Sequence, residues 1–330
     1  MLKGKYIMSD QIRKLNNKFK IAGKIAELSK YETGETQKGV PYIRVDCAIQ
    51  YGESATETKT ISYFLQEYSV DDKGNKTKES KVYPKLVEFF ENAKNKTIAK
   101  VGYEDAAEIL AEGSYGINDY VNASGELKSV IQLNGSFANA PDNVEPRYYA
   151  QGTLEGYIKS INPEMSRGDD PHETGRLRLE LITTSFRGDA IPITLIVTKD
   201  NVENIEDNYE AGQTANFFTD YIVNKSSEPK AKKGGFGVKR EETRAYTELV
   251  VVGGDAPFDE DDEKYGISKD VIKIILQARK EHLEEIENKG YLGNKTSSSS
   301  SSSNTKSAKS VSSAKTKAAA EEVSDDDIPF

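Results

Sequence analysis

Twice along this chain the same order of local patterns recurs: three short runs rich in alternating apolar residues, a helix-length stretch, then further apolar runs that end on a polar turn. Period two dominates both copies, and the turn chemistry between runs favours short strands over a helical bundle. In the first copy the runs fall at residues 19–28, 42–49 and 59–66, with Gly23 in the middle of the opening run. Residues 84–94 then have helical spacing through Leu86, Val87, Phe89 and Phe90, and runs at 97–101 and 128–137 close the set. The second copy reads 148–157, 176–181, 190–198, a helical patch at 202–209, then 214–223 and 245–252. Gly152 stands where Gly23 stood, Leu154 at Ile25 and Tyr157 at Leu28. The copies even close on similar turns, Ala140-Pro141-Asp142 and Ala256-Pro257-Phe258-Asp259. A period of about 130 residues is far longer than a solenoid repeat, so the expectation is two tandem domains.

Three strands, a helix and closing strands are the order of an OB-fold, a five-stranded Greek-key barrel. The expected fold is therefore mainly β: two tandem OB-fold barrels, a C-terminal helix and a disordered tail. Gly23 and Gly152 are expected at the bend where the first strand curls the sheet into a barrel and a side chain would crowd. The divisions are residues 1–17 as an N-terminal extension, 18–144 and 145–258 as the barrels, and 259–292 as an acidic segment with an amphipathic helix. A disordered linker spans 293–324, and 325–330 form a terminal tip. In the helix Ser268 suits an N-cap, and Ile272, Ile275, Leu276, Leu283 and Ile286 make an apolar stripe. Docking on the second barrel is the expected use of that stripe. Self-association or a replication partner is the alternative, which leaves a homo-oligomer open.

Residues 297–303 are all serine, and Ser, Lys, Ala and Thr dominate from 296 to 320 with Val311 as the one larger aliphatic. Such a segment cannot bury enough surface to offset its ordering entropy, and it reads as a tether. As a flexible coil it sets its end on the order of 30 Å from the body. At that end stand Asp325, Asp326, Asp327, Ile328, Pro329 and Phe330: three charges followed by a compact apolar plug and a carboxylate. A pocket ringed by Arg or Lys would accept such a plug. This terminus closely resembles the tip of bacterial and phage single-stranded DNA-binding proteins. The resemblance implies an OB-fold that holds the DNA and a tip that docks replication, recombination and repair proteins. It covers six residues and the tether, and ordinary bacterial members differ in having one OB-fold, forming tetramers and stacking bases partly on Trp.

Composition narrows the remaining classes. Cys47 is the sole cysteine, and with only His172 and His282 beside it there is no ligand set for structural zinc and no internal disulfide. No run of 18 apolar residues occurs, so a soluble cytoplasmic protein without a membrane partner is expected. The net charge of −9 is concentrated: ten acids lie in residues 259–263 and 321–327, which leaves the rest of the chain about neutral. The acidic group Asp169-Asp170-Pro171-His172-Glu173 reads as turn chemistry, and no nucleophile set or P-loop is present. Neither catalysis nor a cofactor is expected.

Sequence-tolerant binding of single strands needs cations along the phosphates and aromatic faces for the bases. With no Trp, stacking falls to Tyr and Phe. If Ile43, Val45, Cys47 and Ile49 point inward, Tyr42 and Arg44 face out, as does Phe64 on the next strand. In the second copy Leu177, Leu179 and Leu181 take the core, which turns Arg176 and Arg178 outward, and Phe186 and Arg187 occupy the following turn. The strongest local signal is the loop holding Lys230, Lys232, Lys233, Phe236, Lys239 and Arg240, placed between strands four and five. These residues are the expected nucleic-acid contacts. The competing reading is a replisome or recombination adaptor whose OB-folds bind protein while the tip recruits the same enzymes.

Overall fold

The three apolar runs between residues 19 and 66 fold as the expected strands. The computed structural model describes residues 13–71, 73–141, 145–166, 170–226 and 244–290. Strands β1 (Asn17–Glu35), β2 (Pro41–Gln50) and β3 (Thr58–Gln66) pair antiparallel in order, with Ile43, Val45, Cys47, Ile49, Ile61 and Tyr63 buried. A small hairpin of β4 (Tyr68–Val70) and β5 (Lys76–Glu79) follows. Helix α1 (Tyr83–Ala93) starts with Pro84 in its first turn and buries Leu86, Phe90 and Ala93, one face at helical spacing. Phe90 meets Tyr63 edge-on at 5.1 Å. A short helix, α2 (Ile98–Val101), precedes β6 (Glu108–Val121) and β7 (Leu127–Asn139). Strand β7 runs antiparallel to β6 and parallel to β3, and β6 returns to β1, so the five strands are paired in a closed cycle.

The second copy repeats every pairing. Strands β8 (Tyr149–Met165), β9 (Glu173–Thr184) and β10 (Ala190–Val197) are antiparallel neighbours. After helix α3 (Val202–Asn208) come β11 (Thr214–Ser226) and β12 (Arg244–Gly254). Strand β12 is parallel to β10, and β11 closes on β8. The chain is thus mainly β. Among the described residues no helix is long and apolar enough to cross a membrane.

Two sequence expectations change. Residues 97–101, expected as a strand, form α2, and the closing strand lies instead at β6, where Gly113 and Gly116 interrupt the apolar pattern. The partner of Gly23 is Gly156. Strand β1 leaves β6 for β2 at Lys24, and β8 leaves β11 for β9 at Tyr157. A Cβ on Gly23 would lie 2.2 Å from the Gln50 carbonyl oxygen, and one on Gly156 would lie 2.5 Å from that of Ile182. Both glycines therefore sit at the pivot. Gly152 serves another purpose, since a Cβ there would lie 2.2 Å from the Tyr115 hydroxyl oxygen of the other copy.

That contact belongs to a seam where β1 and β8 pair antiparallel, from Asn17↔Leu154 to Ala22↔Tyr149. The cross-strand pairs Ile25↔Ile49 and Ile158↔Leu181 each stand just before a register shift, which fixes the equivalence of the copies. Phe19 and Gly152 lie six residues before Ile25 and Ile158, and they face each other. Equivalent positions opposed across antiparallel strands define a local pseudo-twofold axis. Asn17 ties both sides, donating to the Tyr115 and Thr184 carbonyls at 3.1 and 2.9 Å. Lys59 of β3 places its ammonium 4.8 Å from the ring centre of Tyr221 on β11, and burial pushes its pKa down to about 8.

Helix α4 (Lys269–Lys289) straps this seam, going beyond the expected docking on the second copy alone. Ser268 caps it, and Ile272 and Ile275 pack with Tyr157, Ile182 and Ala190 of the second cycle. Two turns on, Arg279 makes a bidentate pair with Asp119 of β6 at 2.9 and 3.0 Å and also donates to Ser129 of β7. Both partners are nearly buried.

Candidate nucleic-acid interface

On the outer face of β2 and β3, alternation brings three expected residues together. Arg44 lies directly across from Phe64, and the Tyr42 ring centre is 5.5 Å from that of Phe64 at a tilt of 39°. Phe64 remains 58% exposed, a large apolar face presented to solvent above a buried strand. The Tyr42 hydroxyl donates to Glu32 at 2.8 Å, which fixes the ring. That bond is the main reason the Glu32 carboxyl is held below the usual range, with Lys30 beside it adding to the effect. Arg44 is exposed and lies directly across from Glu32 of β1, whose carboxyl it helps to hold below the usual range, but no carboxylate among the described residues is hydrogen-bonded or ion-paired to it. The result is an aromatic platform with a cation at its edge.

The second cycle uses the equivalent position differently. Arg176 occupies the place of Arg44, each five residues before the matched pair Ile49 and Leu181. Its guanidinium donates to Glu164 at 2.6 and 2.7 Å and to Glu248 at 3.0 and 2.9 Å. Four of its five N–H groups are thereby engaged, so Arg176 acts as a clamp and its fork is closed to a phosphate. Burial alone would raise the Glu164 pKa, but the bonds from Arg176 and Thr174 outweigh it and hold the carboxyl below its usual range. Asn224 donates to the same Glu248 at 2.6 Å, so the clamp fastens the β11–β12 hairpin to the ends of β8 and β9. Tyr42 and Phe64 have Thr174 and Thr198 as counterparts, and no stacking pair forms there.

The remaining expected residues are dispersed. Arg178 is half-buried on β9 and engaged by neighbours. Phe186, 88% exposed, tops the β9–β10 turn with the Lys14 ammonium 5.7 Å from its ring centre. That turn is stiff: Ser185 donates from its backbone to Asp189 O at 2.8 Å, and its hydroxyl accepts from Arg187 N and Asp189 N. Arg187 is exposed on the same turn. Lys230, Lys232, Lys233, Phe236, Lys239 and Arg240 lie outside the described residues, between β11 and β12, whose pairing runs out to Ser226↔Arg244. The tip from Asp325 to Phe330 also lies outside them. Sequence reasoning passed over Gln66, which alternation puts on the face of Phe64, and Lys14, whose role depends on a turn distant in sequence. Among the described residues no cluster of three or more His, Cys, Asp or Glu side chains is gathered as for a metal ion.

Residues 15–289 match the model of the YorF family. The chain belongs to the YorF family. No curated protein sequence matches it. Two crystal structures of the single-stranded DNA binding protein from Thermus aquaticus resemble this YorF-family chain. A deletion mutant aligns over 77% of this chain and 100% of its own, at 12% identity and a TM-score of 0.40. The wild type aligns over 74% and 94%, at 11% identity and a TM-score of 0.39.

Proposed function

We propose that this YorF-family chain binds single-stranded DNA with little regard to sequence and protects it during replication, recombination and repair. The observation that carries this reading is the exposed Phe64 ring packed on the half-buried Tyr42, with the exposed Arg44 across from Phe64, since stacking faces beside an exposed cation are what a single strand requires. Each five-strand cycle, with its helix between the third and fourth strands, is read as one OB-fold barrel. The basic residues 230–240 add phosphate contacts to the second barrel. The tip at 325–330, by its resemblance, recruits replication and repair enzymes, and the protein acts in the cytoplasm by coating strands, with no reaction of its own.

Fluorescence anisotropy with oligo-dT and with duplex of equal length tests this. Tight binding to the single strand alone is expected, weakening with salt at a slope of about −0.7 per phosphate neutralised. Binding to neither probe would overturn the reading in favour of a protein adaptor, and magnesium-dependent loss of the probe would point to a nuclease.

A further inference from the structure

The β1–β2 turn and the β4–β5 hairpin flank an open cleft of about 500 Å³, lined by Thr36, Gln37, Lys38, Val40, Gln66, Ser69 and Val70. Both walls are firm. Thr36 N donates to Val40 O at 2.9 Å, Gly39 N to Thr36 O at 2.8 Å, and the Thr36 hydroxyl accepts from Val40 N at 3.1 Å. Asp71 pins the far hairpin by accepting from Lys73 N and Asn75 N, and the Tyr68 hydroxyl reaches across to the Gly39 carbonyl at 3.4 Å. The second cycle has no counterpart, because β10 passes straight into the turn before α3.

The cleft adjoins the aromatic platform. Gln66 lies directly across β2 from Tyr42, two residues beyond Phe64 on the same face of β3. A strand whose base rests on Phe64 therefore brings the adjoining base to the mouth of the cleft. The chemistry of the cleft suits a base edge: side-chain amides at Gln37 and Gln66 offer donors and acceptors together, hydroxyls at Thr36 and Ser69 do either, and Val70 offers an apolar flank above the buried Val40. Lys38 supplies charge for the connecting phosphate.

We propose that this cleft takes one nucleobase turned out of a single strand, with the Gln66 amide bonding its edge. The first cycle then gives a moderate base preference to an otherwise tolerant binder. This inference rests on single-strand binding as proposed above. Stacking is tolerant of base identity because every base has a face, whereas an amide facing a base edge discriminates between bases.

The test is anisotropy with oligo-dA, oligo-dC and oligo-dT of one length, on the full chain and on Gln66→Leu, which keeps the size of the side chain and removes its polar atoms. The full chain should favour one base over the least favoured by about tenfold. In Gln66→Leu the spread should shrink to within about threefold, while Phe64→Ala should weaken all three probes together. Equal binding of the three probes by the full chain, or a spread that survives Gln66→Leu, overturns the proposal and leaves single-strand binding intact. Failure to bind any probe removes the reading beneath it instead. Circular dichroism of both variants excludes unfolding as the cause of either change.

Discussion

Arg44 and Arg176 are the same residue at the same place in two copies of one framework, and they do opposite things. Arg44 stands exposed opposite Phe64, while Arg176 is spent on Glu164 and Glu248. Around Arg44 the chain has placed Tyr42 and Phe64, and around Arg176 the matching positions hold threonine. The pairing framework sets where a side chain points, and the neighbours decide whether it is free to bind. The first cycle has accordingly kept a stacking surface, and the second has turned the same surface into a brace for a hairpin that carries basic sequence.

The comparison breaks hardest if the copies are not held as one body. Arg279→Ala leaves Asp119 nearly buried without its partner and should cost about 3–5 kcal/mol. Calorimetry should then resolve two transitions, against one expected for the unaltered chain. A single transition at an unchanged temperature would mean that α4 does not join the cycles. Next in size is the difference between the two outer faces. Phe64→Ala should weaken oligo-dT binding by about 1–3 kcal/mol, and Arg44→Gln should lower the salt slope by about 0.7. Arg176→Gln should leave the slope unchanged and appear as lost thermal stability instead. Equal effects of Arg44→Gln and Arg176→Gln on the slope would erase the distinction. The smallest effect concerns Lys59, whose counterpart in the second cycle is the buried Ile193. Its pKa is near 8 in the fold against an ordinary 10.5, so between those values the unfolded chain binds more protons and stability rises with pH. Lys59→Met should stabilise the protein by about 1–2 kcal/mol at pH 7 and abolish that rise. Thermal melts from pH 7 to 9.5 measure both.

Much of the framework was legible because it depends on local pattern. The runs at 42–49 and 59–66 became β2 and β3 within a residue or so, and the inward set Ile43, Val45, Cys47 and Ile49 is buried as alternation requires. Strand β6 was missed because Gly113 and Gly116, needed where Phe19 and Asn134 press on the backbone, dilute the apolar signal. Gly152 was paired with Gly23 on sequence likeness, yet the role of a glycine depends on what presses against it, and only Gly156 has the matching carbonyl. The Tyr42, Arg44 and Phe64 platform followed from period two. The clamp on Arg176 did not, since its carboxylates come from 12 and 72 residues away and nothing local announces them. Likewise the stripe of α4 announced a docking surface without saying that Arg279 would reach the other cycle.

The opposed pair Phe19 and Gly152 has a consequence for any polymer laid across the molecule. A nucleic-acid strand has a chemical direction, 5′ to 3′, but two frameworks related by a twofold have none in common. A strand following a straight course past the seam meets the second copy in reverse order. To meet both in the same order it must loop back on itself. Identical readers facing opposite ways would leave one of them out of register with a straight strand, and the two faces are not identical: only the first carries the Tyr42–Phe64 pair.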